Sequence, residues 1–507
     1  MNEIEKAKDR YERFIRNYTT CDLLEYFSMK SIEAFQDGKK AFTILDLPYY
    51  TSKGIRGITK NFSYGQWELV QVSFSSIKYS NDYRGKKVNE SDFYKLLNEN
   101  KIYDEKAENV EGIDSIKLFE HLQCLTNVQF DFQTLQTTHK FNRIYQIMMC
   151  INKNSDYDQS QAVDYINFEQ VFKTITGMNI DKFINIYYFM ILISSTRRNT
   201  NIYDIINYIQ FDVNKLGFSK EDIKKVIELQ SRDYKFYKDS DNWNILKYYP
   251  IVKIDKYENK YIISNMFSLM LSFPYSIYWI IRNYYRDLKS NKFTNYFGKC
   301  FEFYFNEILD YYKINYKKLK ESKKQKIKMP DWKIETDKYI FLIEQKAALF
   351  PVDTRTTTKE ERYEKIEDYF NKTLVKAFEQ LNAYSEPDTP KTIIRICLTF
   401  ENIYMEENVK SILESKMKFE SDIALNWIVN IDEMEILMHT LSEDENKFNS
   451  IIEEKIKLER DKDPNGRRLE ILFAGYPYDY STNKINHFLK LGDELKEKLK
   501  NIQKGEI

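Results

Sequence analysis

From Tyr296 onward the apolar positions Phe297, Phe301, Phe305, Ile308 and Tyr312 recur every three or four residues, the stripe of an amphipathic helix. The pattern then changes. Tyr339 to Ile343 is apolar at every position, which reads as a strand buried on both faces, and Thr392 to Phe400 reads as a further strand of the same sheet. Between them Lys376 to Tyr384 is the end of a helix that stops before Pro387, and Ala424 to Ile431 resembles another strand. Helices are expected at Glu433 to Leu441, Lys447 to Glu459 and Lys484 to Ile502, the last packing back on the sheet-bearing unit. Pro464 and Asn465-Gly466 mark 461–468 as a loop. Before about residue 285 the pattern is mostly helical, at Phe141 to Ile151, Phe168 to Ile175, Asp181 to Ser195 and Lys220 to Leu229. Ser219 is an N-cap ahead of Glu221 and Asp222, and Gln66 to Phe74 reads as a strand. The expected division is a mainly helical unit with a small β element, residues 1–285, and a sheet-bearing unit with a helical extension, residues 286–507.

The strand pattern also places charges. Asp337-Lys338 makes a plausible two-residue turn, and a hairpin closed there sets Thr336 opposite Tyr339 and Asp331 opposite Glu344. Directly opposed residues share a face with Cβ atoms roughly 4.5 to 5.5 Å apart. Alternation adds Lys346 to that face and turns Gln345 away, leaving its backbone carbonyl as a further oxygen donor. Two carboxylates at bridging distance suit Mg2+ or Mn2+, which fill their remaining positions with water and phosphate oxygens. Lys346 is placed to orient or deprotonate an attacking water. An isolated Glu-x-Lys can be a solvated strand end, but charges directly after a strand buried on both faces commonly line a site.

Met329-Pro330-Asp331, followed by Glu344-Gln345-Lys346 at the end of a hydrophobic strand, resembles the PD-(D/E)XK nuclease superfamily, which shares the restriction-endonuclease-like fold. The resemblance covers about residues 286 to 430 and says nothing direct about the first half. It implies an α/β core with a mixed central sheet flanked by helices, and metal-dependent hydrolysis of phosphodiester bonds. Asp331 and Glu344 would hold metal, and Lys346 would position the water. Glu302, at the edge of the first helical stripe, matches a glutamate that many members bring to the metal or its water. Gln380 and Tyr384, four apart on one helix face, match a Gln-x-x-x-Tyr element that several branches associate with the active site and DNA positioning. A large helical unit joined to such a nuclease resembles prokaryotic restriction or anti-phage defence effectors.

Composition narrows the picture. The 507 residues are too many for one compact core, and 42% hydrophobic content with only 13 Gly and 9 Pro predicts an ordered chain. The 40 Tyr and 34 Phe accompany an excess of Asn, Ile and Lys that fits AT-rich coding, so most are expected to be packing residues. Lys and Arg number 77 and Asp and Glu also 77, so any nucleic-acid surface must be local. The candidate is Lys317, Lys318, Lys320, Lys323, Lys324, Lys326 and Lys328, which crowd the approach to Asp331 and can contact phosphates, although lysine-rich segments are often simply solvated. The 5 scattered cysteines and 4 isolated histidines predict no disulfide framework, zinc site or His-Asn-His centre.

Met1 to Arg16 is charged throughout, so no secretory signal is read and a cytoplasmic location is expected. Ile262 to Ile281 carries no charge, but its serines and Pro274 favour buried helices, or a helix and a turn, over a membrane span. No Walker or dinucleotide fingerprint is present in the sequence. The expected function is a cytoplasmic Mg2+- or Mn2+-dependent nuclease acting on DNA, with a protein partner or self-association through the first unit. Two alternatives stay open: a partner- or ligand-activated subunit of a defence complex, and a catalytically silent nucleic-acid-binding or scaffold protein of the same fold.

Overall fold

A computed structural model describes residues 3–504 apart from 38–41, 48–49, 52–53, 56–59, 84, 108–136, 151–164, 198, 205, 207–210, 241, 320–328, 350–358, 385, 387–388, 404–405, 420–421, 462–468, 474–483 and 485. The N-terminal half is helical with small sheets, and the larger sheet belongs to the C-terminal half.

The N-terminal half opens with α1 (Glu3–Ile15) and α2 (Thr20–Gln36), then β1 (Phe42–Leu47), β2 (Tyr50–Thr51), β3 (Gly54–Ile55) and β4 (Lys60–Gly65). β1 pairs antiparallel with β4. Gln66 to Phe74, expected as a strand, is the start of helix α3 (Gln66–Tyr79). The alternation misled because this helix is buried on two sides. Trp67, Val70, Phe74 and Ile77 enter one hydrophobic cluster while Leu69 and Val72 enter another, so the apolar positions also satisfy a helical period. Glu68 closes the helix start by accepting from the Gly65 N–H at 2.5 Å.

Helices α4 (Glu90–Ala107), α5 (Thr137–Tyr145), α6 (Phe168–Thr176), α7 (Ile180–Arg197) and α8 (Lys220–Gln230) follow. Ser219 caps α8 as expected, accepting from the Asp222 N–H at 3.1 Å while Asp222 accepts from the Ser219 N–H at 2.8 Å. A small mixed sheet joins β5 (Ser231–Arg232), β6 (Ile251–Lys253) and β7 (Tyr261–Ile263). The charge-free run from Ile262 then becomes α9 (Met266–Asp287), which continues through Pro274. Ser272 and Ser276 donate to carbonyls of their own helix, Leu269 at 3.0 Å and Phe273 at 2.7 Å, which lets serines be buried there. Among the described residues no helix is long and apolar enough to cross a membrane.

The C-terminal half is built on a five-stranded mixed sheet of β8 (Tyr316–Lys318), β9 (Trp332–Glu335), β10 (Tyr339–Lys346), β11 (Thr392–Thr399) and β12 (Asn426–Asn430), in the order β12-β11-β10-β9-β8. β8, β9 and β10 run antiparallel, while β10, β11 and β12 are parallel. Ile340 and Leu342 face α11 (Lys359–Phe370), α12 (Lys376–Ala383) and α13 (Glu406–Lys416). Phe341, Ile343, Trp332 and Ile396 face α10 (Lys292–Tyr311), α14 (Ile431–Glu443) and α15 (Glu445–Asp461). A two-sided apolar strand thus lies between two helical layers, as its pattern predicts.

The two halves share one hydrophobic cluster, with Phe141, Met190 and Phe273 joined to Phe297, Trp332 and Leu437. The last helix, α16 (His487–Lys504), was expected on the sheet-bearing unit and instead packs on α5 and α7 of the first half. Phe488 meets Phe141, Tyr188 and Phe273, the His487 ring stacks on Tyr145 at 4.0 Å, and the Phe488 N–H donates to Asn142 at 3.1 Å. An amphipathic helix states which face it buries but not against which partner.

Candidate active site

The hairpin carries the site. Ile340 pairs with Glu335, Phe341 with Ile334, Leu342 with Lys333 and Ile343 with Trp332, and the Thr336 N–H donates to Tyr339 at 2.9 Å across the turn. This register brings Asp331, one step before β9, alongside Glu344. The Gln345 N–H donates to Asp331 Oδ2 at 2.8 Å, and the Leu319 N–H donates to the Asp331 carbonyl at 3.0 Å. Gln345 therefore meets Asp331 through its backbone N–H. Its side chain turns to the other face, where Oε1 accepts from Trp332 Nε1 at 2.6 Å and Nε2 donates to the Phe301 carbonyl at 3.4 Å.

Glu344 is 3% exposed although it lies near the end of a strand. Its Oε1 accepts from Lys346 Nζ at 2.6 Å, and Lys346 also donates to Gln380 Oε1 on α12 at 3.3 Å. Glu344 Oε2 is buried and has no hydrogen-bond partner among the described residues. Burial pushes the Asp331 carboxyl up to about 6, opposed by the Gln345 N–H and reinforced by the nearby Glu302 charge. Burial, and after it the Asp331 charge, pushes Glu344 up to about 7 against the pull of Lys346 and of the Gln380 side chain.

Glu302 comes from α10 and completes the cluster at one remove. Its Oε1 pairs with Lys318 Nζ at 2.7 Å, and Lys318 lies 5.0 Å from the Trp332 ring centroid. Sequence reading placed Lys318 in a basic run. The structure places it at the edge of the site, in reach of Asp331 as well. The signal was weak: strand pairing, not the lysine run itself, brings Lys318 opposite Trp332. Lys317 is exposed on β8, and Lys320, Lys323, Lys324, Lys326 and Lys328 lie outside the described residues.

Tyr384 does not join the site. α12 ends at Ala383, and Tyr384 caps it with extended backbone (φ −91°, ψ 121°), so the expected shared face with Gln380 is lost. Its hydroxyl donates to Glu386 Oε1 at 2.9 Å, and Glu386 accepts from Lys333 Nζ at 3.0 Å. Tyr384 belongs to a second polar cluster against β9, and Glu386 and Lys333 were not singled out in the sequence.

Chemically, the Asp331 charge raises the proton affinity of Glu344, and a Glu344 oxygen without a hydrogen-bond partner among the described residues is a donor of the kind a divalent cation takes. Among the described residues no group of three or more His, Cys, Asp or Glu side chains is close enough to hold an ion. One or two carboxylates with water and phosphate completing the shell is the donor number Mg2+ ordinarily takes from protein. The chain matches no family model, and neither a curated protein nor a solved structure is significantly similar to it.

Proposed function

We propose that the chain is a metal-dependent phosphodiesterase acting on nucleic acid, DNA in the first instance, with a PD-(D/E)XK type of centre. The observation that carries this reading is the buried Glu344, held beside Asp331 with Lys346 and Gln380 against it, Oε1 on the Lys346 ammonium and Oε2 buried without a hydrogen-bond partner among the described residues. Asp331 and Glu344 are the residues that would hold Mg2+ or Mn2+. Such an ion, when bound, supplies charge stabilisation at phosphorus and acidifies a water. Lys346, fixed between Glu344 and Gln380, is placed to hold that water for attack. Glu302 and Lys318 form a charged rim whose ion pair can open toward a phosphate. A catalytically silent scaffold has no physical need for a desolvated carboxylate oxygen without a partner, which costs stability where nothing binds it.

The test is cleavage of linear DNA, circular DNA and RNA with Mg2+ or Mn2+ and with EDTA, comparing the unmodified chain with Asp331→Ala and Lys346→Ala. Metal-dependent cleavage lost in both variants supports the reading, and the circular substrate separates internal from terminal attack. Binding of nucleic acid without cleavage by the unmodified chain under any of these metals would sink it.

A further inference from the structure

A cavity of about 450 Å³ lies where the helical half meets the end of β11, apart from the carboxylates. Its walls come from α5, α9 and residues around β5, from Ile175 and Lys247–Tyr249, and from Phe400, Glu401, Asn402 and Asp432. Glu344 and Lys346 pair with Cys397 and Thr399, on the face covered by α12. The Phe400 ring lies on the opposite face, edge-on to Phe297 and Phe301 of α10 at 5.3 Å each. The cavity therefore is not a continuation of the proposed metal centre.

The lining has two components. One is aromatic: Phe236, Tyr248, Tyr249, Tyr275, Trp279 and Phe400. The other is cationic, with five Lys or Arg side chains against three acids. Of those acids Asp432 is already paired with Arg143, and Asp287 lies 3.6 Å from Arg286. The Arg232 guanidinium lies 3.9 Å from the Tyr249 ring centroid, and its Nη1 is held by the Ser231 carbonyl at 2.6 Å. That contact orients the rest of its donor fork. Lys247 is only 4% exposed, an unusual position for a lysine at a cavity wall. Gln230, 3% exposed, adds a buried amide.

Flat aromatic walls beside an oriented guanidinium, in a space within the range of small-molecule sites, match a ligand with a planar ring at one end and an anion at the other. We propose that this cavity binds a mononucleotide-sized ligand, its base among the aromatic rings and its phosphate on Arg232 and Lys247. The proposal does not depend on the phosphodiesterase reading. A nucleic-acid strand is the other conceivable occupant, but a recess of this volume takes one nucleotide rather than a run of them.

The experiment is isothermal titration calorimetry of the full chain in EDTA with AMP, GMP, CMP, UMP and ATP, using adenosine and inorganic phosphate as the separate halves. At least one nucleotide is expected to saturate a single site, with both halves binding about tenfold weaker or less. Arg232→Gln and Trp279→Leu should each weaken it by about tenfold or more, while Glu344→Gln leaves it unchanged. Arg232 is partly exposed, so its variant keeps the test open if Trp279→Leu does not fold. No saturable binding by any nucleotide, binding that survives Arg232→Gln, or phosphate alone binding as tightly as the nucleotide would each overturn the proposal. So would a short oligonucleotide that displaces the nucleotide at lower concentration than the nucleotide itself requires.

Discussion

Asp432 and Glu435 on α14 and Asp331 and Glu344 on the β9–β10 hairpin are both pairs of a buried glutamate and a partly exposed aspartate, yet their surroundings treat them in opposite ways. At α14 the Arg143 guanidinium from the helical half bonds both acids, with Nε 2.9 Å from Glu435 Oε1 and Nη2 on Asp432. The Tyr304 hydroxyl adds a bond to Glu435 at 2.7 Å, and His139 lies 3.3 Å from Asp432. Burial pushes Asp432 up, but Arg143 and then His139 hold it well below the usual carboxylate range. At the hairpin one ammonium serves one oxygen of Glu344 and both acids are pushed up. The first pair is a finished structural joint between the halves. In the second, Glu344 Oε2 has no hydrogen-bond partner among the described residues, and the proposed site rests on that difference.

The strongest way to break this comparison is to remove the shared cation at the joint. Arg143→Met leaves the buried Glu435 and the partly exposed Asp432 without their guanidinium and is expected to cost about 3–5 kcal/mol, read from urea unfolding. A loss below about 1 kcal/mol, the level of an exposed pair, would mean that the joint is no more built than a surface contact. At the hairpin the expected response differs in kind. Lys346→Met and Glu344→Gln should lower metal-dependent cleavage by roughly 10²–10³-fold. Glu344→Gln should nonetheless keep or raise the unfolding midpoint in EDTA, because it removes a poorly compensated buried charge. A large drop in stability with this variant would assign Glu344 to the scaffold instead.

The two pairs should also answer pH in opposite directions. Asp432 is depressed when folded, so it stabilises the fold above the ordinary carboxylate range, and that contribution is lost as pH falls through and below about 4. Asp331 and Glu344 are raised to about 6 and about 7, so without metal the folded chain holds protons that the unfolded chain has already released. Their contribution to stability therefore declines as pH rises from about 4 to about 7. A divalent cation competes with those protons. The rise in melting temperature produced by Mg2+ or Mn2+ should be small at pH 5, grow through pH 6 to 8, and vanish in Asp331→Asn. A metal-induced shift of equal size at pH 5 and pH 8 would place the ion elsewhere.

What could be read in advance follows the range of the interactions. The hairpin register was legible because a polar turn, Asp337-Lys338, joins two runs whose alternation leaves one pairing, so Asp331 and Glu344 came together from local sequence alone. Glu302 and Gln380 were legible as helix positions, although their contacts with Lys318 and Lys346 depend on how α10 and α12 settle on the sheet. The Arg143 joint spans 292 positions to Glu435, and no local pattern encodes it. The same holds for α16, whose amphipathic face was plain but whose partners are α5 and α7. Gln66 to Phe74 failed for another reason: a helix buried toward two clusters carries apolar residues at both periods.

Tyr384 and Gln380 give the finest contrast, one outside the contacts of the proposed site and the other within them. Gln380 touches Lys346 at 3.3 Å, while the Tyr384 hydroxyl bonds Glu386 at 2.9 Å beyond the end of α12. Gln380→Ala removes an acceptor that fixes the ammonium and should lower cleavage by about tenfold, a hydrogen bond to a charged group being worth roughly 1.5 kcal/mol or more. Tyr384→Phe removes one partly exposed hydrogen bond, to Glu386 rather than to Asp331, Glu344 or Lys346, so its cost should appear as about 0.5–1.5 kcal/mol of stability with cleavage unchanged. Equal losses of cleavage in the two variants would show that α12 extends by a further turn when substrate binds, bringing Tyr384 onto the face of Gln380. The decisive readout is then hydrogen exchange at the Ala383, Tyr384 and Glu386 amides with and without DNA, since a helical turn formed on binding would slow their exchange.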